Sequence, residues 1–285
     1  MSIYLSLVEL EKANKAGALC MIVRSKGSTP RSAGSKMLVY ADGTIAGTVG
    51  GGELENRVIQ EALQAISDGR PRMLEYQMAD PGRGDPGVCG GQVEVYVEPV
   101  RPKPTIVVIG VGHVGKAVAQ LAHWLGYRVV LNDDRPDFCT PEIVPDADQY
   151  IPTPMAELTR HMEITPWTYL VLTTRGVNVD VLGLPALLDE PAAYIGLIGS
   201  QRRWETAKKQ MQEMGVPPEK FARVRSPIGL ELNAETPEEI AVSIMAEIIM
   251  LREGGDGIAM SAAQDSSVSS AGTHGEKSEA AILDA

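Results

Sequence analysis

The residues best suited to chemistry in this chain fall in a few short, glycine-rich strings. Cys89 stands directly before Gly90 and Gly91. A thiolate is a soft metal ligand or a nucleophile, and flanking glycines leave it accessible and close to backbone donors that can lower its pKa. An inert, buried thiol is the alternative. Cys20 lies in an apolar run and Cys139 at a loop start, so for both inert packing or simple exposure is expected. The string RSKGSTPRSAGSKM carries Ser28, Thr29, Arg31 and Lys36 among glycines, and Gly50, Gly51 and Gly52 precede a helical pattern. Backbone N–H groups at a helix start can cradle a phosphate that Arg31 or Lys36 would neutralise. Equally, the glycines could serve tight turns and the cations be solvated.

A second constellation opens the other half. Gly110, Gly112 and Gly115 fit GxGxxG between a strand pattern and a helix pattern, the context that motif requires. Asp133 and Asp134 end the next strand pattern, where an acid would accept bonds from a ribose hydroxyl. The fingerprint implies NAD(P) or another nucleotide; a Rossmann-like turn kept for packing alone is the competing reading. His113, inside the fingerprint, would either touch a ligand phosphate or act as a polar cap. The sequence holds no Ser-His-Asp set, no HExxH and no deaminase-type HxE with CxxC, which leaves hydrolytic and zinc chemistry without support.

The elements that must position these residues can be read from periodicity. Ile3, Leu7, Leu10 and Ala13 form a helical stripe, ALCMIVRS reads as a buried strand, and two strand-like runs flank Asp42-Gly43 as a hairpin. Leu54, Val58, Ala62 and Ile66 keep a helical period, and RMLEYQM and QVEVYVEP are strands. The loop DPGRGDPGVCGG between them is too rich in Gly and Pro for regular structure. PVRPKP reads as an extended connector. Beyond it TIVVIG, a helix ending before Gly126, RVVLND, TYLVLTTR, a helix around VLGLPALLD, YIGLIG and a helix from Gln201 to about Met214 alternate as in a parallel sheet with right-handed crossovers. A last helix opens on Thr236, Pro237 and Glu239, a capping box with proline in the first turn.

The fold class is therefore α/β: an amino-terminal α/β domain with a hairpin-containing sheet at 1–98, a linker at 99–104, a Rossmann-like doubly wound parallel sheet at 105–253, and a disordered tail at 254–285. The formal net charge of −11 opposes a nucleic-acid partner, since phosphate neutralisation needs a basic face. No apolar stretch approaches the roughly 20 residues of a membrane span. Three widely spaced cysteines offer neither a disulfide framework nor a CxxC pair, and the amino terminus lacks the layout of a signal peptide, so a reducing cytoplasm is expected.

GSTPR with GSKMLV, GTVGGGELE, VCGGQVEVYVEP, GVGHVG, NDDRP, YIGLIGS and SPIGLELNAETPEEIAVSIMAEII, in that order, resemble the XdhC/CoxI family of xanthine dehydrogenase accessory factors from about residue 3 to residue 252. The resemblance implies a chaperone without turnover of its own, which binds molybdopterin-type cofactor, protects it while a cysteine desulfurase installs its terminal sulfur, and delivers it to an apo molybdenum hydroxylase. Carried over residue by residue, cofactor contact falls on Cys89 with Gly90 and Gly91, as a molybdenum contact for the thiol. It also falls on Gly50, Gly51 and Gly52 with Glu53 after them, and on Arg31 and Lys36. Val177 stands where many relatives carry a His, and Leu232-Asn233 where Ile-Gly is common. A cleft between the halves, with Cys89 near the turn at Gly110, is the expected seat for so large a ligand. Two alternatives remain open at this level: an NAD(P)- or flavin-dependent oxidoreductase, and a nucleotide-sensing assembly subunit. Homodimerisation is compatible with such folds.

Overall fold

The computed structural model describes residues 2–79, 82, 86–87 and 90–261. These divide into two compact units, 1–103 and 104–285.

The amino-terminal unit runs α1 (Ile3–Lys12), β1 (Gly17–Lys26), β2 (Lys36–Tyr40), β3 (Ile45–Gly47), α2 (Gly52–Asp68), β4 (Arg72–Met78) and β5 (Gly91–Val100). Its five strands form an antiparallel sheet in the order β3-β2-β1-β5-β4. Period-two alternation buries Ala18, Cys20 and Ile22 of β1 with Val93, Val95 and Val97 of β5. Leu54, Val58, Ala62 and Ala65, at three- and four-residue steps on α2, complete the same core. The hairpin between β2 and β3 forms as expected, but only Gly43 takes a positive φ (82°), not the Asp42-Gly43 pair. Tyr40 N–H bonds to the Thr44 carbonyl and Gly43 N–H to the Tyr40 carbonyl, both at 2.9 Å, so three residues, Ala41, Asp42 and Gly43, make the turn, not two. The connector is also shorter than its prolines suggest. β5 continues through Pro99 and Val100, which pair with Ala18 and Gly17. By then β4, whose Arg72 lies opposite Val97, has already ended, so Pro99 forfeits no β4 bond.

The second unit contains β6 (Thr105–Ile109), α3 (His113–Trp124), β7 (Arg128–Asn132), β8 (Gln149–Ile151), β9 (Thr168–Leu172), α4 (Val177–Gly183), β10 (Tyr194–Leu197), α5 (Gln201–Glu213), β11 (Val224–Arg225) and α6 (Pro237–Glu253). All six strands are parallel, in the order β11-β10-β9-β6-β7-β8. Counted within the unit this is the doubly wound Rossmann order, with its switch point between β6 and β9. Both faces of the sheet are covered: α3 and α6 pack over Ile106, Val108 and Val129, while α4 and α5 pack over Val107, Leu170 and Ile195. The capping box of α6 is present, with Glu239 N–H on the Thr236 hydroxyl at 3.2 Å and Thr236 N–H on the Glu239 carboxylate at 3.0 Å. β8 and β11 have no counterpart in the periodicity reading. No helix among the described residues is long and apolar enough to cross a membrane. Of the segment expected to be a tail, Gly254 caps α6 with φ 74° and residues 262–285 lie outside those described.

Candidate functional site

In the amino-terminal unit the three glycine-rich strings come together. Gly91 opens β5 with no room for a side chain: a Cβ there would fall on the Ser28 carbonyl oxygen and within 2.7 Å of Thr29 Cγ2. At Gly27 a Cβ would sit 3.2 Å from the Gly90 carbonyl oxygen, and at Gly50 it would sit 2.9 Å from Pro30 Cβ. The GSTPR segment is thus wedged between the Gly90-Gly91 strand start on one side and the Gly50 turn on the other. Thr29 Oγ1 donates to the Arg31 carbonyl at 3.0 Å, fixing the local turn, and the Arg31 side chain is exposed. Lys36 is engaged elsewhere: its amine donates to the Gly34 carbonyl at 3.0 Å and lies 5.7 Å from the Tyr4 ring. Glu53 is exposed and pairs with Arg57 at 2.8 Å along α2. Cys89 lies outside the described residues, and with it the expectation that this thiol meets the Gly110 turn.

Two of the three glycine N–H groups expected to face a phosphate, those of Gly50 and Gly51, are already taken. Glu55, on the first turn of α2, folds its carboxylate back over the turn that introduces the helix. Its Oε2 accepts from Val49 N–H (3.2 Å), from Gly51 N–H (3.3 Å) and from the Thr48 hydroxyl. Thr48 Oγ1 in turn accepts from Gly50 N–H at 3.0 Å. The consecutive positive φ angles of Gly50, Gly51 and Gly52 (141°, 76° and 62°) are what bend the chain tightly enough for one oxygen to reach all three donors. The signal was in the sequence, an acid four residues after the middle glycine, but a helix-stripe reading spends ELE on Leu54.

The glycine turn of the second unit is closed as well. Asp133 is almost fully buried and its two oxygens accept four bonds: Val111 N–H at 2.7 Å, Arg135 N–H at 3.0 Å, Arg135 Nε at 2.9 Å and Arg135 Nη2 at 2.8 Å. A carboxylate has about four acceptor positions. The acceptor positions of Asp133 are thus filled from within the protein. Across the switch point, Thr173 donates through its hydroxyl to the Gly110 carbonyl at 2.5 Å. A Cβ on Gly115 would lie on that same carbonyl and 2.7 Å from Thr173 Oγ1. His113 is exposed at the start of α3, and Gly112 before it has open space. The crevice lined by Gly110, Asp133, Asp134, Arg135, Thr174 and Arg175 holds only about 20 Å³, roughly one water.

Two ion pairs frame this crevice. Arg175 grips Asp134 through both oxygens at 2.5 and 2.7 Å, and these hydrogen bonds hold the Asp134 carboxyl below the usual carboxylate range. Deeper, Asp180 is fully buried and meets Arg203 at 2.7 and 3.0 Å, while Arg203 also binds the Thr174 carbonyl and hydroxyl. Burial pushes the Asp180 carboxyl up, opposed by the Thr174 and Arg203 bonds. Neither arginine was singled out from sequence. Val177 starts α4 and packs against the core, and Asn233 adopts φ 51°, a conformation Asn tolerates where Gly is common. Both remaining thiols are buried; burial pushes Cys20 up to about 12, and Cys139 is raised too. A larger cavity of about 650 Å³ lies beside β11, with Tyr194 and Gly229 N–H already bonded to Glu247 on its wall.

Known proteins resemble both units. The family model described as the XdhC Rossmann domain matches residues 106–248, and that of the XdhC and CoxI family matches residues 10–77. The second match takes in Arg31 and Gly50–Gly52 and stops before Cys89. The chain is 36% identical over 259 residues to the uncharacterized protein YqeB of Escherichia coli K12, covering 90% of this chain and 47% of that one. It is 34% identical over 159 residues to a Bacillus subtilis 168 protein described as a probable subunit of xanthine dehydrogenase, covering 56% and 46%. It is 22% identical over 295 residues to the molybdenum cofactor insertion chaperone PaoD of Escherichia coli K12, covering 86% of each. The chain spans about half the length of the first two relatives. A solved structure described as a xanthine dehydrogenase from Bacillus halodurans aligns with 24% identity and a TM-score of 0.48, over 90% of this chain and 97% of its own.

Proposed function

The chain belongs to the XdhC and CoxI family, and on that premise we propose that it is a maturation factor that carries molybdenum cofactor as cargo to a molybdenum hydroxylase of the xanthine dehydrogenase type. The observation that carries this reading is the meeting of the GSTPR, Gly50–Gly52 and Gly90-Gly91 segments. Segments so distant in sequence are held in contact by glycines, leaving an exposed Arg31 beside them. A flat pterin needs close approach to backbone, and its phosphate needs a cation; this corner offers both. No group of three or more metal-ligating side chains is gathered among the described residues. The proposal asks for none, because the cargo brings its own metal, to which Cys89 would add one thiolate.

Protection during sulfuration by a cysteine desulfurase, release to the apo-hydroxylase and assembly as a homodimer belong to the same proposal. An NAD(P)-dependent activity is disfavoured by the saturated carboxylate of Asp133. The test is mass and metal analysis of protein purified from a molybdenum-replete host, followed by titration of emptied protein with molybdenum cofactor. About one pterin and one molybdenum per chain is expected, with weaker retention in Cys89→Ala. Wild-type protein that takes up no added cofactor would sink the carrier reading, and unchanged retention in the variant would remove Cys89 from it.

A further inference from the structure

Glu55, like Glu239 at the start of α6, reaches back past the start of its helix, and unlike Glu239 it also takes a hydroxyl. A carboxylate near a helix start gains from the dipole wherever it points. Glu55 instead reaches back out of α2 to residues that precede it, and a single oxygen gathers the Val49 and Gly51 N–H groups and the Thr48 hydroxyl. The N-cap residue Gly51 has no side chain to do this, so the task falls to the residue four positions on. The turn held this way is the one whose Gly50 touches Pro30, and Pro30 belongs to the segment whose Ser28 and Thr29 press on Gly91.

We propose that Glu55 is the positioning residue of the cargo site: it holds the Thr48–Gly52 turn, and through Pro30 sets where Arg31 and the Gly90-Gly91 corner stand. The inference rests on the carrier reading above, and it adds a constraint. Because the N–H groups of Val49 and Gly51 are satisfied from within, the cargo's anionic group is not seated on them. It is met by the Arg31 side of the corner.

The experiment uses the full chain and three variants, Glu55→Ala, Glu55→Gln and Glu55→Asp, with two readouts: amide hydrogen exchange over residues 27–31 and 48–52, and affinity for molybdenum cofactor. Because E55A removes the one oxygen that all three donors share, it should speed exchange of the Val49 and Gly51 amides and weaken cargo binding, each by roughly tenfold or more. E55Q should restore both to within about threefold, since its one carbonyl oxygen can stand where Oε2 stands and the geometry, not the charge, is what matters. E55D, one methylene shorter, should not rescue. A folded E55A with wild-type affinity overturns the proposal, as does unchanged exchange, or E55Q binding as poorly as E55A. If E55A does not fold, the contrast between E55Q and E55D makes the same comparison. Wild-type protein that binds no cofactor fails the carrier reading instead, and the exchange arm still decides whether Glu55 holds the turn. Inorganic phosphate should leave the Val49 and Gly51 exchange rates unchanged; protection of those amides by phosphate would show them open to an external anion.

Discussion

Glu55 closes the Thr48–Gly52 turn from within the helix that the turn introduces, and it does so with one oxygen. Asp133 closes the Gly110–Val111 turn from the neighbouring strand through Oδ2 alone, while Arg135 holds both of its oxygens. The first closure is local, and the glycines it shapes go on to touch Pro30 of a separate segment. The second is non-local, and together with Thr173 it fills the crevice at the switch point. Two glycine turns before two helices, alike in sequence, thus have different fates. One lends its shape to a neighbouring surface, while the other is consumed by the packing of its own sheet. A glycine motif therefore identifies a turn, and what the closed turn packs against decides whether it shapes a neighbouring surface.

The comparison is broken most severely by adding a methyl group. Gly91→Ala would drive a Cβ into the Ser28 carbonyl and Gly115→Ala into the Gly110 carbonyl, both rigid backbone. Each should cost about 3 kcal/mol or more, read by urea unfolding. Amide exchange should place the loss in β1 and β5 for G91A and in β6 and β9 for G115A. Wild-type stability in G115A would mean that the Gly110 turn is not closed as described. Next in size, Asp133→Asn turns one acceptor into a donor facing two of the four N–H groups, at a cost of roughly 2 kcal/mol. Glu55→Gln should cost well under 1 kcal/mol, because one oxygen carries all three bonds. Equal costs for the two amides would erase the distinction between a carboxylate with one oxygen engaged and one with both.

The smallest effect is at Asp134. Its carboxyl is held below the ordinary value first by the hydrogen bond from Arg175. A depressed acid contributes stability above its unfolded pKa of about 4, and loses it as pH falls through the folded value. Arg175→Ala should therefore cost at most about 1 kcal/mol at neutral pH, as befits a pair this exposed. The difference from wild type should fade below the carboxylate range, and a difference that persists or grows in acid would assign the effect to something other than this pair.

How much of this was legible in the sequence depends on whether a residue's partner lies within a turn or two of it. The β6-turn-α3-β7 unit and the α6 capping box could be read because their signals are local: a glycine spacing, an apolar run, and Thr236 three positions before Glu239. β8 and β11, three and two residues long, are too short to show a period and become strands only through their parallel neighbours. The spacing to Asp133 located the right strand end but could not show where its oxygens point, since Val111 and Arg135 approach from opposite directions in sequence. The three glycine strings were each visible, yet their meeting depends on β1 and β5 pairing across the sheet, from Gly17 opposite Val100 to Lys26 opposite Gln92.

That pairing sets Gly27 and Gly90 just beyond its last rung, so the corner is built on the sheet's most extensively bonded seam. A corner assembled in this way holds its shape without a ligand, which is what the proposed carrier role asks of it. Little ordering entropy is then charged to capture, and none has to be recovered for discharge. Such a surface suits a carrier that must hand over what it holds, because grip and release can be tuned by a few contacts without refolding the hand that makes them.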